Sequence, residues 1–112
     1  MPRPSLASPP LREFELVVLL AVLGLRDGAY PVSIRDAIEE RTRRNVSRAA
    51  VFITLERLEG KGFVTSRYGD PTPVRGGRPK RFFSATPGGV AAAKDALRLM
   101  QSMTAGLDGV LE

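Results

Sequence analysis

The sequence contains no cysteine, no histidine and no tryptophan. Without cysteine it has no disulfides, thiolate metal sites or cysteine nucleophiles, a composition that suits a reducing compartment and leads to an expected cytoplasmic location. Without histidine, a Ser-His-Asp triad, a histidine general base and the usual zinc sites are excluded. Carboxylates and lysines remain, but no pairing singles any of them out. The expectation is therefore no enzyme, no catalytic residue, no metal and no cofactor. Long apolar runs are missing too. The most hydrophobic stretch, Leu16 to Leu25, is flanked by Glu13, Glu15, Arg26 and Asp27 and is too short to cross a bilayer, so no membrane partner is expected. Gly76-Gly77 lacks both the pattern and the strand-helix context of a dinucleotide fingerprint.

Met1 to Pro10 holds four prolines and no periodicity. Only Arg3 precedes Leu6-Ala7-Ser8, and prolines interrupt any apolar core, so residues 1–10 read as a flexible arm and not as a signal peptide. The rest is one small globular domain by composition, 43% hydrophobic and 26% charged over 112 residues, with modest reserves of buried area that dimerisation would supplement. The formal charge is +5, unevenly placed. Arg41 to Arg81 holds eleven Lys/Arg against three acids, a local +8, while the remainder carries −3. Positive charge confined to one segment is the footprint of a phosphate-binding face.

Residues 45 to 86 organise the chain. Ser47 is a good helix N-cap, and Gly60 and Gly62 close the helix that follows. Val51, Leu55 and Leu58 share its inner face. The outer face carries Ala49, Phe52, Ile53 and Glu56, with Arg48 and Arg57 at its edges. Apolar groups beside arginines suit a major groove, where they meet thymine methyls, guanine edges and phosphates. Alternatively, Phe52 and Ile53 cover a neighbouring helix. The helix alone fits either reading, and the next segment favours the first. Phe63 to Tyr68 and Phe82 to Thr86 form a hairpin whose loop alternates Arg75, Arg78, Lys80 and Arg81 with Gly76, Gly77 and Pro79. Glycine permits close backbone approach and proline stiffens the tip. Gly77-Arg78-Pro79 also resembles the core of the AT-hook, a minor-groove reader; an ordinary solvated basic hairpin is the plainer reading. A helix followed by a basic hairpin is a winged helix.

Upstream, the Leu16 to Leu25 helix is apolar on every side, with Phe14, Val18, Ala21 and Leu25 on one face and Leu16, Leu19 and Leu23 on others, so it is expected to be covered on more than one side, with a second copy of the chain a candidate for the second cover. Arg26-Asp27-Gly28 breaks it. Pro31 starts a second helix that runs to about Thr42, with Ile34, Ala37 and Ile38 inward. Arg41, Arg43 and Arg44 at its end complement the helix dipole as well as offering cations to phosphate. The short turn to Ser47 has helix-turn-helix proportions. Downstream, Thr86-Pro87 starts a last helix in which Val90, Ala93, Leu97, Met100, Thr104, Leu107 and Leu111 follow a heptad seam. Gly106 and Gly109 weaken its final turns. Packing against the first helix and a dimer seam both fit, and the dimer is preferred because little other core is left to cover. The fold class expected is mainly α with a small β-hairpin: a flexible arm over 1–10, a winged helix-turn-helix domain over 11–86, and a dimerisation helix over 87–112.

These residues resemble the PadR family of bacterial transcriptional regulators from about Leu11 to Ala105. The resemblance rests on Phe14-Glu15-Leu16, Ala29-Tyr30, Ile34-Arg35, Val46-Ser47, Ala50-Val51-Phe52, Leu55-Glu56-Arg57-Leu58-Glu59, Lys61-Gly62, and Gly76-Gly77-Arg78 through Thr86-Pro87-Gly88. It implies a homodimer built through the N- and C-terminal helices, binding double-stranded DNA at an inverted repeat and usually repressing nearby genes. By position, Tyr30 would touch a phosphate, Ser47 to Ile53 would face the major groove with the recognition helix spanning 47–61, and Arg78 to Arg81 would lie in a wing spanning 67–81. Arg43, Arg44, Arg48, Arg75, Lys80 and Arg81 would supply phosphate contacts, and Ala49, Phe52, Ile53, Arg48 and Arg57 sequence preference. Phe14, Leu16, Leu19, Leu23, Val90, Ala93, Leu97, Met100 and Leu107 would form the dimer interface. Three departures stand out: Phe52 replaces the usual tyrosine, Ile53 a common proline and Pro31 a common glycine. The single C-terminal helix resembles the short branch of the family. Some relatives bind flat aromatic or cationic molecules between protomers; here no residue identifies a small-molecule inducer. The rival reading keeps the fold but makes it a protein-interaction module anchored by Phe52 and Ile53.

Overall fold

The structure is a computed structural model that describes residues 11–70 and 79–112. The N-terminal arm 1–10 and the loop residues Arg75 and Arg78 lie outside the described residues. The chain runs α1 (Glu13–Leu25), a 3-10 turn (Arg26–Gly28), α2 (Pro31–Thr42), α3 (Arg48–Gly60), β1 (Val64–Tyr68), β2 (Arg81–Ala85) and α4 (Pro87–Thr104). It is mainly α with a two-stranded antiparallel hairpin, a winged helix-turn-helix.

Each boundary has a local cause. Ser47 Oγ accepts a hydrogen bond from the Ala50 amide at 3.0 Å, capping α3. At the other end, the amide of Gly62 donates to Glu59 O and that of Phe63 to Leu58 O, with Gly62 at φ +80°. This is a Schellman motif, which needs a left-handed residue at that point and turns the chain directly into β1. Thr86 Oγ1 caps α4 by accepting from the Gly89 amide at 3.0 Å, with Pro87 at the first helical position, where its missing N–H costs nothing. α2 also opens on a proline and ends in Arg43, which takes a left-handed conformation (φ 61°) while its amide donates to Glu39 O.

The core lies where α1, α2 and α3 meet beneath the hairpin: Val18, Leu19, Val22, Ile34, Ile38, Val51, Leu55, Leu58, Val64 and Phe83 are all buried. The inward assignments of Ile34, Ile38, Val51, Leu55 and Leu58 hold. Register pairs Val64 with Ala85, Ser66 with Phe83 and Tyr68 with Arg81 on one face of the hairpin, and Thr65 with Ser84 and Arg67 with Phe82 on the other. The Phe83 amide also donates to Ala29 O at 2.8 Å, so the extended link into α2 flanks the free edge of β2.

The last helix differs from its expected extent. α4 ends at Thr104, and the chain then turns through Gly106 at φ +84°. The heptad pattern outruns the helix, so Leu107 and Leu111 are not members of a continuous seam. The first half of α4 packs on its own domain, and the second half stands clear of it, with Leu97, Leu99, Met100 and Met103 exposed. This projection gives the described residues extents of 56 × 36 × 21 Å and a radius of gyration of 16.2 Å, against about 13 Å for a compact domain of this length.

Two residues expected at a dimer interface are placed elsewhere. Leu19 (0% exposed) and Ala93 (3% exposed) are buried inside the protomer, leaving no surface for a second chain to cover. The heptad and all-round apolar patterns could not separate core from seam, because both are apolar at the same spacing. Phe14, Leu16, Leu23 and Val90 are half-buried, whereas Leu97, Met100 and Leu107 are exposed.

Candidate nucleic-acid interface

With Val51, Leu55 and Leu58 inward, α3 turns Ala49, Phe52, Ile53, Glu56 and Arg57 to solvent. Phe52 is 41% exposed and Ile53 50%. Neither covers a neighbouring helix of this chain, so the plainer reading of this pair is not realised within the protomer. Arg48, at the first position of α3, and Arg43, in the preceding turn, are exposed beside its N-terminus, where the positive end of the helix dipole adds to their charge.

Arg44 and Lys80, two other predicted cations, have partners. Arg44 Nη1 donates to both carboxylate oxygens of Glu13 at 3.1 Å and its guanidinium lies 5.6 Å from the Phe14 ring centroid. The pair is open to solvent and screened, so it restrains Arg44 only lightly. Lys80 Nζ sits 4.5 Å from the Tyr30 ring centroid, and Tyr30 meets Phe82 edge-on at 5.5 Å. Tyr30 is thus held at the base of the wing by packing. Arg67, exposed on β1, lies 4.9 Å over the Phe82 ring. It joins Lys80 and Tyr30 on one face of the hairpin and was absent from the residues singled out in the sequence. Strand alternation alone marks it as outward, but its placement beside Phe82 depends on the hairpin register, which the loop sequence does not encode.

Arg81 departs most from expectation. Its side chain faces α3 and is only 20% exposed. Nη1 donates to Glu56 Oε2 at 3.1 Å, Nη2 to Glu59 Oε1 at 2.6 Å, and Nε to Ser66 Oγ at 3.1 Å, while the Ser66 hydroxyl donates on to Glu59 Oε2 at 2.9 Å. Hydrogen bonding to Glu56 is the largest influence on the guanidinium pKa and, against the opposing effect of burial, raises it. As a free wing cation Arg81 is misplaced; as a link between strand and helix it is fully engaged.

The scaffold behind this face contains a second internal ion pair. Glu15 is 3% exposed and accepts from the Lys61 ammonium at 2.7 Å and from the Arg12 amide at 2.8 Å. Burial pushes its carboxyl upward, but the Arg12 amide and the bond and charge of Lys61 outweigh it, and the net shift is downward from the ordinary carboxylate value. The pair ties the start of α1 to the end of α3. Among the described residues no group of carboxylates is arranged to hold a metal ion, and no helix is long and apolar enough to cross a membrane.

Comparison with known proteins agrees with this geometry. The model of the transcriptional regulator PadR-like family matches residues 19–95. Among solved structures the chain is similar to a transcriptional regulator from Clostridium thermocellum (18% identity, 88% of this chain and 92% of that one, TM-score 0.70). It is also similar to a PadR family transcription regulator from Clostridium difficile (20% identity, 87% and 98%, TM-score 0.68). A third is Bacillus subtilis PadR, solved in complex with operator DNA (20% identity, 77% and 48%, TM-score 0.63). At these identities the likeness establishes the fold. No curated protein matches.

Proposed function

The chain belongs to the PadR-like family of transcriptional regulators, and from that membership we propose that it binds double-stranded operator DNA as a homodimer and represses the genes beside it. The family is one of regulators and not of enzymes. The observation that carries the proposal is the outward face of α3, where Ala49, Phe52, Ile53 and Arg57 are exposed on a helix that has exposed Arg43 and Arg48 at its start and is followed by a hairpin bearing exposed Arg67 and Lys80. Arg43, Arg44, Arg48, Arg67 and Lys80 supply phosphate contacts, Tyr30 lies at the backbone, and Ala49, Phe52, Ile53 and Arg57 read base edges. The operator complex of Bacillus subtilis PadR shows that a protein of this fold engages such a duplex.

The dimer uses the uncovered half of α4. Leu97, Met100 and Met103 are exposed on it, with Leu107 just beyond its end, and the apolar groove of about 480 Å³ between α1 and α2, with Leu20, Ala21 and Leu25 in its wall, offers a further surface for a second chain. Two recognition helices related by a two-fold axis read an inverted repeat whose half-site centres lie about 34 Å apart or a multiple of it. A small molecule lodged between the protomers would act as inducer by altering that spacing.

Selection of bound sites from random duplexes tests the reading. A two-fold symmetric consensus is expected, with its core preference altered by Phe52→Ala and its flanking A/T preference lost in Arg78→Ala. Unchanged profiles in both variants remove the residue assignments. The same exposed Phe52 and Ile53 would equally anchor a protein partner; capture of a protein that persists at high salt, with no retention on duplex at low salt, favours that alternative.

A further inference from the structure

An arginine at the mouth of a basic wing is the natural candidate for a phosphate contact, but the surroundings of Arg81 oppose that role. One guanidinium faces the two carboxylates of Glu56 and Glu59, so the cluster is net negative and repels phosphate. Its Nε and both Nη atoms already have acceptors on two different elements, β1 through Ser66 and α3 through the glutamates. The guanidinium also lies 4.9 Å from the centroid of the buried Phe83 ring and 5.7 Å from that of the exposed Phe52 ring. It therefore spans the hairpin, the end of α3 and an outward-facing aromatic of α3 in one planar group. Only arginine has a fork that satisfies three directions at once; a lysine ammonium would serve one or two of them.

We infer that Arg81 is a positioning residue that locks the wing to the recognition helix and fixes Phe52 against it, so that both elements meet a duplex as one rigid body. Glu56 and Glu59 are its counterparts. Two carboxylates at the outer end of a recognition helix weaken duplex binding if they act only as charges; as anchors for Arg81 they strengthen it by holding the wing in register. The inference rests on the DNA-binding reading for its consequence, though not for the lock itself.

The native chain lacks cysteine, so spin labels placed through Ala49→Cys and Asp70→Cys report the helix-to-wing distance without any duplex. A narrow distribution is expected, broadening in Arg81→Ala and in Glu59→Gln. An unchanged distribution in both variants overturns the lock, whatever the chain does with DNA. On duplex, Arg81→Ala and Glu59→Gln are each expected to weaken binding about tenfold, while the slope of log K against log salt stays that of the wild type. If instead Arg81→Ala lowers the slope by about 0.9 and Glu59→Gln binds more tightly, Arg81 is a phosphate contact and the inference fails. Arg81→Lys, which keeps the charge and loses the fork, is expected to behave like Arg81→Ala on both readouts; full rescue by lysine overturns the claim. Failure of the wild type to bind any duplex would sink the proposed function while the label distances still judge the lock.

Discussion

Glu15 shows how a single residue carries more of the fold than its charge suggests. It lies at the third position of α1, accepts the Arg12 amide that would otherwise be an orphan at the helix start, and reaches Lys61 just past the end of α3. A carboxylate this buried is tolerated because both partners favour its charged form. Its folded pKa is depressed, so its contribution is fully present above the ordinary carboxylate value of 4.5 and is lost as pH falls through the lower folded value. Glu15→Gln is expected to lower stability by about 2 kcal/mol at neutral pH, with the difference from wild type shrinking in acid, as read by urea unfolding at a series of pH values. The sequence marked Phe14-Glu15-Leu16 and Lys61-Gly62 as separate motifs. That they are one contact across 46 residues was illegible, because charge pattern along a chain carries no information on tertiary pairing.

Among the elements, α4 is legible at its start and less so at its end. Thr86 caps it, donates its hydroxyl to Gly62 O at 2.7 Å, and gives its amide to Phe63 O at 3.0 Å. The helix is therefore fixed to the turn between α3 and β1. Gly89 is the residue that permits this approach, since a Cβ there would collide with the carbonyl of Phe63. Gly89→Ala is expected to cost about 3 kcal/mol through overpacking against backbone that cannot yield, measurable as a drop in Tm, whereas Gly109→Ala, with open space around it, should leave Tm unchanged. A Thr-Pro helix start is a local signal and so was readable. The close contact is not local, and the end of α4 at Thr104 goes with the turn at Gly106, φ +84°, a local signal that the heptad spacing runs past. α2 and α3 were readable throughout because caps, period and closing residues all agree. The hairpin was readable as two strands, but the partners of Arg67 and Arg81 were not, since they follow from register and from which face meets α3.

At the scale of the whole molecule, one half is finished and the other is not. The core under the hairpin is closed, while the outer half of α4 leaves Leu97, Met100 (53% exposed) and Met103 (68% exposed) in water, apolar side chains of the kind that an interaction surface presents. Met100→Glu is expected to turn a dimer into monomers in sedimentation equilibrium, and to weaken operator binding with it. In the proposed dimer each protomer would bring its own basic segment, Arg41 to Arg81, to the same duplex. The most direct trial is a titration of a labelled duplex carrying the selected site across a salt series. Five phosphate contacts from each of two protomers give an expected slope of log K against log salt of about −9. A slope near zero, or saturation at one chain per site, would contradict a dimer gripping DNA through its basic faces.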